Sequence, residues 1–351
     1  MLPASFGSVG SRVALVLSAV LLVWGGGTSA GGQDVGAGAF SRLGFDARGV
    51  ALGNALVGAS SKNASPYYNP ALLPTAQGQR VSGSAALLAF DRQMQSLEFV
   101  APLGPTAGVG LGLLHGGVGE IDGRNADGIH TGTLSTDEFA LSLAFGNRFG
   151  ERLSAGVSFT LYQSDLLPEA DPVRGFGLEF GVTYRATSRL KLGGRVTDLL
   201  AKYEWDTSSL NGQSRTDRFP VRVLLGGSYT LVDERVELLA ELESRFQARD
   251  RTVPDRVRPT TGGPRQETRT EGVLLRSLRG RLGVSYHPIN ILELRVGGDR
   301  IGVSGIDGLR PSAGFGLRQQ LGELDLRLSY AAALEPHVRT VMSLATIEVF
   351  L

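Results

Sequence analysis

From about Val81 to the C-terminus, apolar residues recur at every second position, a period that β-strands produce and helices do not. Phe139, Leu141, Leu143 and Phe145 alternate with Glu138, Ala140, Ser142 and Ala144. Leu153, Ala155, Val157, Phe159 and Leu161 alternate with Ser154, Gly156, Ser158 and Thr160. The same holds for Phe176, Leu178, Phe180, Val182 and Tyr184, for Leu292, Leu294 and Val296, and for Leu324, Leu326, Leu328 and Tyr330. Turns between such runs divide the stretch into fourteen strands, near 81–90, 94–102, 106–116, 136–146, 151–164, 174–186, 188–199, 219–231, 235–249, 271–287, 291–301, 309–319, 323–333 and 338–351.

The connections sort by parity. Those after even strands are short, such as Leu103-Gly104-Pro105, Ala186-Thr187 and Leu321-Gly322. The longest, 117–135, 165–173, 200–218 and 250–270, all follow odd strands. Outer-membrane barrels have short periplasmic turns and long outside loops, and an even strand count returns both termini to the periplasm. A soluble sandwich has no reason to sort its loops this way. The predicted fold is therefore all-β, a transmembrane outer-membrane β-barrel of about fourteen antiparallel strands over 81–351. Its last strand alternates Ile347, Val349 and Leu351, with Phe350 just before the end.

The N-terminus predicts export. Arg12, the apolar run Val13 to Trp24 and the small-residue exit Gly25-Gly26-Gly27-Thr28-Ser29-Ala30 make up the three parts of a secretory signal. The run is too short for a transmembrane helix, which needs roughly 20 apolar residues, so residues 1–30 are expected to be a cleaved signal peptide. The sequence contains no cysteine, which excludes disulfides, thiolate metal sites, a Cys nucleophile and a lipoprotein signal. A net charge of +1 without a basic cluster gives no sign of nucleic-acid binding. The 49 glycines are spread along the chain and through the strand-like segments, not gathered in a linker; in β-structure glycine marks bends, bulges and close backbone approach.

Residues 31–80 lack clean alternation and read as a compact, partly helical segment able to sit inside the barrel as a plug, or as a tail on the periplasmic side. This region carries Phe40-Ser41-Arg42-Leu43-Gly44, then Arg48-Gly49-Val50-Ala51-Leu52-Gly53-Asn54-Ala55, then Tyr68-Asn69-Pro70-Ala71. In this order the strings resemble the N-terminus of the PorV/PorQ family, within the broader FadL-like group of outer-membrane barrels. Leu190-Lys191-Leu192-Gly193-Gly194-Arg195-Val196-Thr197-Asp198-Leu199 and Phe219 to Gly227 look like that family's mid-barrel pattern. The resemblance implies a fourteen-stranded barrel with an N-terminal plug. It also implies either passage of hydrophobic molecules through the barrel and out by a lateral opening, or service to type IX secretion.

Three functional classes follow: a transporter of small hydrophobic molecules, a non-enzymatic shuttle for secreted cargo proteins using the outside loops 200–218 and 250–270, and an outer-membrane enzyme. The third is disfavoured. No Gly-x-Ser-x-Gly elbow or phosphate-binding loop occurs in the mature chain, and no cofactor is expected. The four histidines, His115, His130, His287 and His337, have no metal-ligand spacing. Asp122 to Gly128 has some character of a calcium loop but lacks its first and twelfth acids. Expected partners are outer-membrane lipid and lipopolysaccharide, with a hydrophobic ligand or secretion machinery beyond them. Tyr68, Asn69, Pro70 and Ala71 are the candidate gate, or simply the turn into the first strand. Glu179, Arg185, Glu241, Glu243, Arg245, Arg279, Arg281, Glu293, Arg295, Asp325 and Arg327 are the candidate lumen network, since charges aimed at lipid cost about 2–4 kcal/mol at mid-membrane.

Overall fold

A computed structural model describes residues 36–59, 65–166, 171–206, 215–231, 235–260, 263–302, 308–322, 324–335 and 340–351, with the backbone alone for 248–275. The expected signal peptide lies outside the described residues. The strands are β1 (Arg80–Leu87), β2 (Arg92–Leu103), β3 (Ala107–Arg124), β4 (His130–Phe149), β5 (Leu153–Asp165), β6 (Val173–Arg185), β7 (Leu190–Leu199), β8 (Lys202–Trp205), β9 (Arg215–Arg218), β10 (Val221–Leu231), β11 (Val236–Thr260), β12 (Gly263–Ile289), β13 (Leu292–Ile301), β14 (Arg310–Leu321), β15 (Leu324–Glu335) and β16 (Thr340–Phe350). All but β8 and β9 form one closed barrel of fourteen antiparallel strands. The ring closes where β1 pairs with β16, from Arg80 opposite Phe350 to Leu87 opposite Ser343. The C-terminus and the start of β1 meet at the short-turn rim, where Leu351 N donates to Gln79 O at 2.9 Å.

Alternation sorts the side chains as the membrane requires. Leu143 is 54% exposed, and Phe145, Phe159, Leu161, Phe180, Val296 and Ile347 also face outward. Glu179, Glu241, Glu243 and Arg295, on the opposite parity, are buried. A closed barrel with an apolar outside and a polar inside is a membrane barrel of the outer-membrane type. Leu143→Arg, about halfway along the apolar run of β4, is expected to cost about 2–4 kcal/mol. It should reduce the fraction migrating as the compact, heat-modifiable form in cold gel electrophoresis, whereas Leu143→Phe should not; equal yields of the two variants would remove the lipid-facing assignment.

Two of the segments expected as outside loops are ladder instead. β3 and β4 stay paired through Ile121–Leu134 to Arg124–His130, and β11 and β12 pair through to Thr260–Gly263. Here the chain no longer has one face in lipid, so alternation disappears, while β-branched residues such as Thr131, Thr133 and Thr136 keep the extended backbone. The segment 200–218 also differs from a plain loop: β8 pairs with β9, Tyr203 opposite Asp217.

Residues 36–59 and 65–76 lie within the barrel lumen and are partly helical: 3-10 turns at Ala39–Arg42 and Pro70–Thr75 flank helix α1 (Ala47–Ala51). Asp46 caps α1, its carboxylate accepting from Gly49 N at 2.6 Å. The wall supplies partners to this segment around much of its circumference. Ala47 N donates to Thr346 Oγ1 at 2.8 Å and Val57 N to Glu241 Oε2 at 3.0 Å. Ser96, Ser228 and Ser312 donate to the carbonyls of Phe45, Gly58 and Ala51 at 2.7, 2.9 and 3.2 Å. Such bonds satisfy backbone groups that helix and sheet do not reach. Glycines make room for the close approach: a Cβ at Gly193 would overlap the Val57 carbonyl.

Candidate functional site

Asn69 is the centre of the seat. It is fully buried, and its Nδ2 donates to Val57 O at 2.7 Å, with longer contacts to Val182 O (3.3 Å) and Gly194 O (3.4 Å) on β6 and β7. Its Oδ1 accepts from Ala71 N at 3.0 Å, capping the turn that Pro70 begins. One amide thus joins two parts of the inner segment to the wall. A Cβ at Gly181 would overlap this side chain. Tyr68 is also buried, its hydroxyl accepting from Phe45 N at 3.3 Å, and Ala71 is completely enclosed.

The buried charges form linked clusters. The Glu243 carboxylate contacts Arg281 at 2.6 Å, Arg279 at 3.0 Å and Arg245 at 3.1 Å, with Arg222 at 3.9 Å. Arg281 also pairs with Glu241, and with Asp299 at 3.0 Å. Arg195 pairs with Glu179, which accepts from Thr197 Oγ1 at 2.8 Å, and also reaches the Tyr67 and Tyr68 carbonyls. Glu293 contacts Arg295 at 2.7 Å and Arg48 of the inner segment at 3.5 Å. Arg327 contacts Glu348 at 3.5 Å. Mixed signs at these distances make a fixed polar lining, since removing either partner of a buried pair strands the other.

Two expected members are not in these clusters. Arg185 is exposed at the end of β6, opposite Lys191. Asp325 sits at the short-turn rim, paired with Arg318 through Nε at 2.8 Å. Both have the inward parity, but the strands there pass beyond the filled lumen into the rim. Other members were not expected. Arg195 and Arg222 follow the same alternation and could have been read from it. Asp198 could not, because strict alternation aims it outward. A β-bulge, with Asp198 at φ 63° and a register shift between Leu178 and Phe180, turns it inward to Arg222 Nε at 2.7 Å and the Tyr162 hydroxyl at 3.1 Å. A second bulge, with Arg300 at φ 65°, buries that residue likewise.

Between the inner segment and the wall of β3 to β6 lies a cavity of about 60 Å³. One side is aromatic: Phe45 stacks on Tyr67 at 4.9 Å, and Tyr67 meets Tyr68 edge-on at 4.9 Å. The other side presents Leu114, Ala140, Ser142, Ser158 and Thr160, with Arg195, Arg222 and Arg281 along one edge. Toward the long-hairpin end, Tyr162 packs on Phe219 at 4.7 Å, and Phe219 on Tyr203 at 5.0 Å. The beginning of segment 200–218 and Phe219 just after it therefore fold inward over the lumen; Ala201, Tyr203 and Phe219 are buried.

Among the described residues no three His, Asp or Glu side chains gather as ligands. His115 faces outward, hydrogen-bonded to Gln95 at 2.6 Å and Asp137 at 2.7 Å. In the calcium-like stretch, Asp122 bonds His130 at 2.6 Å and Arg124 at 2.8 Å, contacts that hold its carboxyl below the usual carboxylate range. Asn125 Oδ1 accepts from the amides of Asp127 and Ile129. These oxygens are taken by protein donors. His337 lies outside the described residues.

No family model matches this sequence, and no curated protein matches it. Solved structures do. The chain is similar in fold to the Pseudomonas putida toluene transporter TodX, with a TM-score of 0.57 and 16% identity over 87% of this chain and 96% of that one. It is similar to the CymD monoaromatic hydrocarbon channel, with a TM-score of 0.56 and 14% identity over 88% and 96%. A Pseudomonas aeruginosa FadL homologue gives 0.55 and 13% over 87% and 97%. The likeness is one of fold, and it runs nearly the length of each chain.

Proposed function

We propose that this chain is an outer-membrane transporter that passes small hydrophobic molecules, a PorV/PorQ-type member of the FadL-like group with residues 31–80 as its plug. The observation that carries the reading is the cavity, with aromatic rings of the inner segment facing a laddered wall inside a barrel whose outer face is apolar. Pockets for such molecules are mostly apolar with a few placed polar groups. Support also comes from the shared fold, since TodX is described as a toluene transporter and CymD as a monoaromatic hydrocarbon channel. The PorV/PorQ assignment rests on the ordered strings around Arg48 and Asn69. The apolar belt would sit in outer-membrane lipid, beside lipopolysaccharide.

Volume sets the state. An apolar cavity that binds benzene measures roughly 150 Å³, so the cavity of about 60 Å³ is a closed form. Passage requires the inner segment to shift, and the turn Tyr68-Asn69-Pro70-Ala71 is the proposed gate because its amide holds that segment to β6 and β7.

A deletion strain and its complemented counterpart test this by uptake of labelled toluene and of a labelled long-chain fatty acid, with surface-protein proteomics in parallel. Uptake of at least one solute should fall several-fold on deletion and return on complementation, with the surface unchanged. Loss of specific surface proteins at normal uptake would overturn transport in favour of a shuttle for secreted cargo.

A further inference from the structure

The cavity wall is not uniformly apolar. Ser158 and Thr160 follow one another on the inner face of β5, and Ser142 of β4 stands directly opposite Thr160 in the ladder. Ser158 is 3% and Thr160 5% exposed, and both line the cavity. Ser142 donates to Gly112 O at 3.3 Å. Among the described residues, neither the Ser158 nor the Thr160 hydroxyl makes a hydrogen bond. Neither hydroxyl oxygen is among the sealed atoms that lack a partner, so both are open to the cavity, and covering either without giving it a partner is unfavourable. Across the cavity stand the rings of Phe45, Tyr67 and Tyr68.

We propose that Ser158 and Thr160 are specificity-determining residues that select apolar solutes carrying an uncharged oxygen, a hydroxyl or a carbonyl, over the corresponding hydrocarbons. This rests on the transport reading above. A hydrocarbon filling the cavity would leave both hydroxyls without water and without a partner. A phenol or alcohol would place its oxygen on them and its ring against the aromatic side. A charged head is not called for, because the guanidiniums along the edge already have carboxylates: Arg195 has Glu179, Arg222 has Asp198, and Arg281 has Glu241. When the inner segment shifts to admit a ring, its aromatic side moves with it. Ser158 and Thr160 stay, because β5 is paired on both sides. Selection therefore belongs to the wall.

The test compares p-xylene with p-cresol, which differ by a methyl in place of a hydroxyl of similar size. Initial uptake of each is measured in porin-deficient cells whose outer membrane holds the full chain, the S158A/T160V variant, or no barrel. The variant should lose roughly tenfold of the chain-dependent p-cresol uptake while p-xylene uptake holds or rises, the penalty on the hydrocarbon having been removed. Thr160→Ser should keep p-cresol uptake near the parent level, which separates loss of the hydroxyl from misfolding. Equal loss for both solutes, as expected of residues that only hold water or shape the cavity, overturns the proposal, as does unchanged p-cresol uptake. If the parent chain carries p-xylene but not p-cresol, the proposal falls and transport stands. If it carries neither, both fall.

Discussion

Replacing Gly181 by valine should unseat the inner segment while leaving the barrel closed. The valine Cβ would occupy the space of the Asn69 side chain, and the ladder that holds Gly181 between Gly156 and Arg195 cannot retreat. Asn69 then loses the wall. Removing its amide altogether, as in Asn69→Leu, strands the Val57 carbonyl and the Ala71 amide, two buried groups at about 1–3 kcal/mol each, or roughly 2–6 kcal/mol together. Asn69→Asp is the sharper case. It keeps the shape and the Ala71 bond but puts a carboxylate against the carbonyl oxygens of Val57, Val182 and Gly194, where a donor is needed. Trypsin supplies the readout, since Arg42 and Arg48 are buried in the parent. In all three variants, mass spectrometry should find cleavage after these arginines at least tenfold faster, with the β-strands still protected and heat-modifiable mobility kept. Parent-like resistance in both Gly181→Val and Asn69→Asp would remove Asn69 from its proposed role as the latch of the gate.

How much of this was legible beforehand follows from which surroundings act on each residue. Alternation is written into the strands because lipid presses on one face and the inner segment on the other, so all fourteen barrel strands could be placed from the sequence. Where one of those surroundings ends, the signal ends as well. The ladder that pairs Ile121 with Leu134 reads as loop in the sequence, because above the membrane Thr131, Thr133 and Thr136 have no lipid to oppose. At the short-turn rim the error runs the other way: Asp325 and Arg185 keep the inward parity but have no filled lumen to enter. Bulges defeat the rule locally. Nothing in the pattern around Asp198 announces that it turns inward, since one extra residue reverses the face of everything beyond it.

The seat of the inner segment was legible only in part. Asn69 and Pro70 stood out by a resembling string, and an Asn before Pro is a recognisable turn start. Their partners on β6 and β7 lie more than a hundred residues away, and no local rule of spacing reaches so far. The glycines on the wall are the complementary trace, because they mark where backbone must approach backbone, but which segment approaches is a property of the closed barrel. The inward fold of Tyr203 is illegible for the same reason: an aromatic residue in a long connection reads as solvent-facing until the Phe219 ring is found beside it.

The largest loss of stability is expected from Glu243. Its carboxylate is completely buried and is shared by Arg245, Arg279 and Arg281, with Arg222 close by. Breaking a buried ion pair from one side costs about 3–5 kcal/mol, because the remaining charge has been taken out of water with nothing to answer it. Here one carboxylate answers several guanidiniums, so Glu243→Gln, which keeps size and hydrogen-bonding atoms but removes the charge, should cost at least the upper part of that range. Urea titration of the barrel folded in lipid vesicles reads the effect as a lowered midpoint and a smaller compact fraction at low urea. Asp325→Asn is the contrasting variant: its partner Arg318 is 55% exposed at the rim, and a pair so open to water contributes about 0–1 kcal/mol. The double variant Glu243→Gln with Arg279→Gln should recover part of the loss, since it removes one of the stranded charges along with the carboxylate. A Glu243→Gln barrel with the parent's midpoint would mean that water or neighbouring carboxylates already screen the cluster, and the fixed polar lining inferred for this lumen would have to be given up.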